Sequence, residues 1–204
     1  MSGLITGKQA YNYEKNIIKH KIDVSNSFLT RNIKAGSTIA DLCSGTGLVV
    51  EFLVDKAKEI HTVEASEDMI NISKSKFKNN NKVKLHKQNA EDTKLPSNYF
   101  DYVVIRMGLH HIKNKKAVMD EAYRILKKNG RVIIMDNFKC YDLPLFTEVY
   151  DFVRNIVRGR GLMGHYYISI DEFKEMIKDK FNVDYLFMHK KEIYIKANIV
   201  LKKK

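Results

Sequence analysis

The sequence predicts an α/β protein: a doubly wound, mostly parallel sheet of seven strands with an antiparallel C-terminal hairpin strand. Three observations predict it. Apolar segments alternate between strand-like and helix-like periods over the first two thirds of the chain. The first strand-like segment stops at Asp41 and runs into a turn with two glycines, Gly45 and Gly47, before a helix-like pattern. Two adjoining strand-like runs then close the chain, which parallel crossovers alone do not produce.

Taken in order, the candidate parallel strands are Thr38 to Leu42, Glu59 to Val63, Val83 to Lys87, Tyr102 to Ile105 and Arg131 to Asp136. Between them Leu48 to Val54, Glu67 to Phe77 and Lys115 to Leu126 carry apolar residues at helical spacing. Ser66, with Glu67 and Asp68 behind it, supplies an N-cap and an acidic first turn. Lys127-Lys128-Asn129-Gly130 closes the third helix, with Gly130 suited to a left-handed C-terminal position. Leu143 to Val157 reads as a helix whose Phe146, Tyr150, Val153 and Val157 form a core-facing stripe. Arg158-Gly159-Arg160-Gly161 breaks it, and Ile170 to Ile177 follows as a helix capped by Ser169. Val183 to Met188 and Glu192 to Leu201, joined by a short polar link at His189 to Lys191, form the hairpin.

Composition bounds the function classes. A chain of 204 residues with 44% hydrophobic content buries an ordinary globular core as one domain. Met1 to Ala10 lacks a basic-flanked apolar leader, and no run approaches the roughly 20 apolar residues of a membrane span. Cys43 and Cys140, far apart in sequence, suggest a reducing compartment, so a cytoplasmic location is expected. The formal net charge of +12 raises the question of an anionic partner such as RNA. Lysine is scattered, however, and greatly outnumbers arginine, so the charge favours a nucleic acid only weakly.

The glycine turn carries the most chemistry. Glycine lets a ligand approach the backbone closely, and the helix start behind it aims free N–H groups outward. Glu64 ends the second strand roughly 20 residues on, where a doubly wound fold places the carboxylate that grips ribose hydroxyls. The combination points to a nucleoside cofactor.

With these residues in place, the chain resembles the class I S-adenosylmethionine-dependent methyltransferases, in the branch similar to the ubiquinone and menaquinone biosynthesis enzymes. Asp41-Leu42-Cys43-Ser44-Gly45-Thr46-Gly47 matches the glycine-rich first motif, and Val63-Glu64-Ala65-Ser66 with Met69 matches the second-strand exit. Gln88-Asn89-Ala90-Glu91-Asp92 resembles the segment after the third strand; Phe100 to Val104 and Gly108-Leu109-His110-His111-Ile112 resemble the fourth strand and its exit. Glu121 to Gly130 resembles the approach to the fifth strand, and the match fades beyond Asp136. The resemblance implies a Rossmann-like single domain over 1–204: an N-terminal helical cap (1–35), a cofactor-binding core (36–136), and acceptor-side helices with the closing hairpin (137–204). It implies that Asp41, Cys43, Gly45 and Gly47 lie against the amino-acid tail and ribose, and that Glu64 accepts both ribose hydroxyls. Ala65 or Met69 packs on the adenine, Asn89 and Ala90 meet its edge, the Arg106 backbone meets the tail ammonium, and Tyr11 and Tyr13 belong to a segment that closes over the cofactor. Cys43 departs from the pattern by replacing the first glycine, and Asn89 by standing where Asp is frequent.

What remains for such an enzyme is to align an acceptor with the S–CH3 bond, exclude water and, for an oxygen or carbon acceptor, remove a proton. His110, His111 and His165 are the candidate bases, the first two just after the fourth strand and the third beside Tyr166 and Tyr167. Asp136 at the same rim either orients the acceptor or caps a turn. His110 and His111 have no metal-ligand spacing with another His or Cys, so no metal is expected. Arg106-Met107-Gly108-Leu109 stands where methylation of planar amino groups uses an Asn/Asp-Pro-Pro-aromatic segment, which favours a small-molecule acceptor over DNA bases. Three rivals stay open. A dinucleotide-dependent oxidoreductase needs a third glycine where Val50 stands. An RNA methyltransferase is favoured only by charge, and a non-catalytic S-adenosylmethionine-binding protein would keep the same cofactor residues. Oligomeric state is not legible.

Overall fold

A computed structural model of the protein describes residues 4–15, 27–140, 149, 153, 165–191 and 194–204. The elements are α1 (Gly7–Tyr11), α2 (Ser27–Asn32), β1 (Thr38–Leu42), α3 (Leu48–Leu53), β2 (Glu59–Glu64), α4 (Glu67–Phe77), β3 (Val83–Lys87) and β4 (Phe100–Arg106). A 3-10 turn (Leu109–His111), α5 (Lys115–Ile125), β5 (Leu126–Lys139), α6 (Ile170–Ile177), β6 (Phe181–Lys191) and β7 (Tyr194–Lys203) complete them.

The strands form one sheet in the order β3-β2-β1-β4-β5-β7-β6. β1 to β5 pair in parallel, and β7 inserts antiparallel between β5 and β6. The chain winds outward from β1 through β2 to β3, then crosses back to lay β4 on the other side of β1. That reversal opens a crevice beyond the carboxyl ends of β1 and β4, the place where such sheets bind ligands.

Both faces of the sheet are covered, so the central strands are mostly apolar, with Asp41 in β1 a buried exception. Ala40, Leu42, Val103 and Ile105 pack with residues of α5 and α6 on one face. Ile39, Ile60, Tyr102 and Val104 pack with residues of α2 and α3 on the other.

The structure corrects several sequence expectations. Asn129, with φ 65°, takes the left-handed position inside β5, where the pairing with β4 shifts register, whereas Gly130 is needed for space. A Cβ on Gly130 would stand 2.9 Å from both Leu126 Cδ2 and the Lys127 carbonyl oxygen. β5 continues past Asp136 to Lys139 because β7 pairs with it along that length. His189 to Lys191, expected as the link, belong to β6, with Lys191 opposite Tyr194; residues 192–193 lie outside the described residues. The expected Leu143 to Val157 helix also lies outside them except at Val149 and Val153; Val153 is helical but 51% exposed, not core-facing.

Candidate active site

The crevice is built around the turn after β1. Cys43, Gly45 and Gly47 all adopt positive φ, at 61°, 56° and 83°. A Cβ at Gly45 would meet nothing within 4 Å, whereas at Gly47 it would stand 2.5 Å from the Phe77 ring and 2.9 Å from Ser73 Oγ. Gly45 therefore leaves room for a ligand, and Gly47 lets α3 start hard against α4. Cys43 holds a conformation that suits glycine better, pressed against the exit of β4: a Cβ on Gly108 would lie 2.4 Å from Cys43 Cβ. Burial, with the negative charges of Glu64, Asp136, Asp41 and Glu91 around it, pushes the Cys43 thiol well above its ordinary pKa. Cys43 packs against the exit of β4.

Glu64 at the tip of β2 is gripped from below. Its Oε2 accepts from the Gly45 N–H at 2.8 Å and its Oε1 from the Ser66 N–H at 2.7 Å. Burial raises its pKa, against hydrogen bonds from the Ser66, Gly45 and Ala65 backbone. Each carboxylate oxygen has a lone pair to spare, so the clamp orients the group without consuming it.

The loop after β3, which carries Gln88, Asn89 and Ala90, is tied to α5. Glu121 accepts from the Thr93 N–H at 2.9 Å and from both Nε and Nη2 of Arg124 at 2.7 Å, while Arg124 Nη2 also reaches the Leu95 carbonyl oxygen at 2.7 Å. Burial opposes the Glu121 charge, yet the bonds from Arg124 and Thr93 hold its pKa down to about 2. On the opposite side, the N-terminal segment is fastened over the start of α4. Ser66 Oγ donates to the Ile5 carbonyl oxygen at 2.6 Å, and the Gly7 N–H donates to Asp68 Oδ2 at 2.7 Å.

These parts line one cavity that opens to solvent. Of the cofactor residues expected from the sequence, Cys43, Gly45, Glu64, Ala65, Met69, Asn89, Ala90 and Arg106 line it. Leu4, Ile5, Tyr13, Thr46, Gln88 and Ile112 line it as well; Thr46, Gln88 and Ile112 belong to the matched motifs without a role of their own there, and nothing in the local sequence marks Leu4 and Ile5. Tyr11 does not: it is 67% exposed at the end of α1, and Tyr13 takes the inward position. Gly47 and Asp41 are also absent from the wall, Gly47 because it faces α4.

Asp41 lies one layer deeper, 1% exposed, and neither carboxylate oxygen has a hydrogen-bond partner among the described residues. Burial raises its pKa to about 8, against the pull of the Arg106 guanidinium, with Glu64 adding to the rise. Ser44 Oγ, Thr46 Oγ1 and Gln88 Oε1 are likewise buried without partners, and their residues line the cavity. Buried polar atoms in native proteins are nearly always satisfied, so this group fits a polar ligand with a cationic end.

At the far end, beyond β4, stand the histidines. His110 Nδ1 lies 2.5 Å from Asp136 Oδ1, and Asp136 Oδ2 accepts from the Leu109 N–H at 2.7 Å. Asp136 therefore binds the 3-10 turn instead of capping one of its own. The His165 segment is stitched to that turn: the Tyr166 N–H donates to the His110 carbonyl oxygen at 2.8 Å. Lys115 Nζ donates to the carbonyl oxygens of Ile112, at 2.7 Å, and Tyr166. His111 lines the cavity, and His110 and His165 pack behind it with ring centroids 4.0 Å and 4.9 Å from its own. The ground for expecting no metal fails here. Spacing along the chain separates these three, but the fold brings ligating atoms of all three within 4.8 Å of one another.

Residues 40–134 match the family model described as a methyltransferase domain. The match spans the turn, Glu64, the loop after β3 and the histidine turn, so over this stretch the chain is similar to methyltransferase domains. Among curated relatives, the ubiquinone/menaquinone biosynthesis C-methyltransferase of Hydrogenovibrio crunogenus is 29% identical over 140 residues, 66% of this chain and 52% of that protein. The demethylmenaquinone methyltransferase of Staphylococcus saprophyticus is 28% identical over 185 residues, 87% of this chain and 77% of its own. The chain spans 52% to 61% of the length of the first three such relatives. Of solved structures, the geranyl diphosphate C-methyltransferase from Streptomyces coelicolor, held with Mg2+, geranyl diphosphate and S-adenosyl-L-homocysteine, superposes with a TM-score of 0.76 at 13% identity. That superposition covers 98% of this chain and 86% of the other and shows a shared fold.

Proposed function

We propose that this protein transfers a methyl group from S-adenosylmethionine to a small-molecule acceptor at the histidine end of the cavity. The carrying observation is Asp41, a buried carboxylate without a hydrogen-bond partner beneath the glycine turn, on which a tail ammonium supplies the missing charge. Glu64, its two oxygens already aligned by backbone N–H groups, takes the ribose hydroxyls. Met69, Ala65 and Ala90 offer an apolar bed for the adenine, with Asn89 and Gln88 at its edge.

The bound cofactor supplies an electrophilic methyl carried on a sulfonium. The chain's own residues do the rest. Leu4, Ile5 and Tyr13, held down by Ser66 and Asp68, cover the cavity and exclude water. Cys43 and Gly108 set the gap between the β1 turn and the β4 exit. His111 faces the acceptor, and His110, oriented by Asp136, stands beside it to take up a proton. The curated relatives named as C-methyltransferases support an acceptor whose oxygen or activated carbon must lose one. On this reading residues 1–35 are the cofactor cap and 137–204 the acceptor side.

Calorimetric titration with S-adenosylhomocysteine, with NAD as the contrast, tests the reading. The sulfur nucleoside binds and NAD does not, and Glu64→Ala weakens binding by about 10- to 100-fold, the worth of hydrogen bonds to a charged group. NAD binding without a response to S-adenosylhomocysteine would transfer the site to hydride chemistry.

A further inference from the structure

We infer that His110, His111 and His165 form a three-nitrogen binding site for a borderline transition-metal ion of the zinc(II) class, set at the acceptor end of the cavity. The proposal rests on the methyltransferase reading only for what the ion would serve; the site itself stands on geometry. Ligating atoms of the three side chains lie within 4.8 Å of one another, and their ring centroids are 4.0, 4.9 and 5.3 Å apart. A tetrahedral zinc shell with bonds near 2.0–2.1 Å sets its nitrogens about 3.3 Å apart. The three nitrogens thus stand within about 1.5 Å of that spacing.

Two further features mark the cluster as built. Asp136, 3% exposed, holds His110 through Nδ1. With Asp136 ionised, that bond calls for the His110 proton on Nδ1 and leaves Nε2 as the nitrogen able to ligate, as in the carboxylate–histidine–metal relay that steadies ligands in metal sites. The backbone is also fixed on both sides: the Tyr166 N–H grips the His110 carbonyl, and the buried Lys115 ammonium bridges the carbonyls of Ile112 and Tyr166. Those ties hold the two histidine-bearing segments together. Tyr167, parallel to His110 with centroids 5.6 Å apart, packs against the outer side.

Three protein nitrogens leave a fourth coordination position, the pattern of catalytic and not structural zinc. Because His111 belongs to the cavity wall, that position opens toward the acceptor. With an ion bound, His110 is a ligand and no longer takes up the proton: the ion would hold an acceptor's hydroxyl or enol oxygen and favour its deprotonated form, the proton passing to solvent, as metals do for bound water. The acceptor class it selects is a small molecule bearing such an oxygen next to the carbon or oxygen to be methylated.

The test is metal binding itself. Protein stripped with chelator is titrated with cobalt(II), followed by its visible absorption, and zinc(II) is then added as competitor. The expected result is a single saturable nitrogen-coordinated cobalt site that zinc displaces. His111→Gln and His165→Gln should each weaken it about tenfold or more, and Asp136→Asn by about 10- to 100-fold. His86→Ala, in the separate His61–His86 stack, should leave it unchanged. Retained S-adenosylhomocysteine binding by His165→Gln shows that the variant is folded. Absence of saturable cobalt binding in the wild type, or equal binding by wild type and His165→Gln, overturns the metal site while leaving the methyltransferase reading in place. Failure of the wild type to bind S-adenosylhomocysteine would overturn that reading without touching the cobalt result.

Discussion

Asp41 shows at the scale of one residue what the site lacks without its ligand. Its pKa is raised to about 8 from an ordinary 3.8, burial being the main cause. Between those two values the folded protein holds a proton that the unfolded chain has released, so folding stability falls as pH rises across that window. The contribution is intact below about pH 4 and lost above about pH 8, where it amounts to a few kcal/mol. Asn needs no proton to stay neutral. Ligand-free Asp41→Asn should therefore lose less melting temperature than wild type between pH 6 and pH 9, while binding S-adenosylhomocysteine more weakly. Parallel pH slopes for the two proteins would mean that Asp41 is already satisfied. The residues lining the cavity were largely legible from the motif, because the glycine turn and the strand-tip acid are local patterns with a fixed chemical purpose. Tyr11 was misplaced for Tyr13 because the short α1 gives no periodic signal to say which face turns inward.

Elements fixed by local rules read well from sequence, and elements fixed by tertiary pairing did not. α4 and α6 start where Ser66 and Ser169 cap them, and Ser169 forms a full capping box with Glu172. β5 and β6 overran their expected ends because cross-strand partners on β7, and not their own composition, set their length. The histidine trio is the extreme case: His165 reaches His110 and His111 only through the folded backbone, so no spacing along the chain reveals it. The junction of α3 with α4 gives a test at this scale. Gly47→Ala would bring a Cβ to 2.5 Å from the Phe77 ring at a φ of 83°. Left-handed strain and overpacking together should cost about 2–4 kcal/mol, read as a drop in the denaturant midpoint. A change under ~1 kcal/mol would mean that α4 moves away freely, and that the turn is not held by it.

Over the whole molecule, two properties set what the cavity can serve: the reversal of strand order that opens it, and the net charge around it. The first was legible, since a parallel series ending in a hairpin leaves few arrangements; the second was ambiguous. In the structure the lysines are spread. Lys84 pairs with Glu59 by the β2–β3 edge, Lys127 with Asp101 between β4 and β5, and Lys180 with Asp120 on the α5 side. A net charge of +12 should bind RNA as counterions do, loosely and with steep loss in salt. A methyl acceptor, by contrast, must reach His111 inside the cavity. Protein incubated with methyl-labelled S-adenosylmethionine, bulk tRNA and a cell extract of small molecules should pass label into the small-molecule fraction. Any tRNA binding should fall by orders of magnitude between 50 mM and 200 mM salt. Label appearing in tRNA at the higher salt would show that the charge steers the true acceptor, and the histidine end would then have to receive an extruded nucleotide instead of a free molecule.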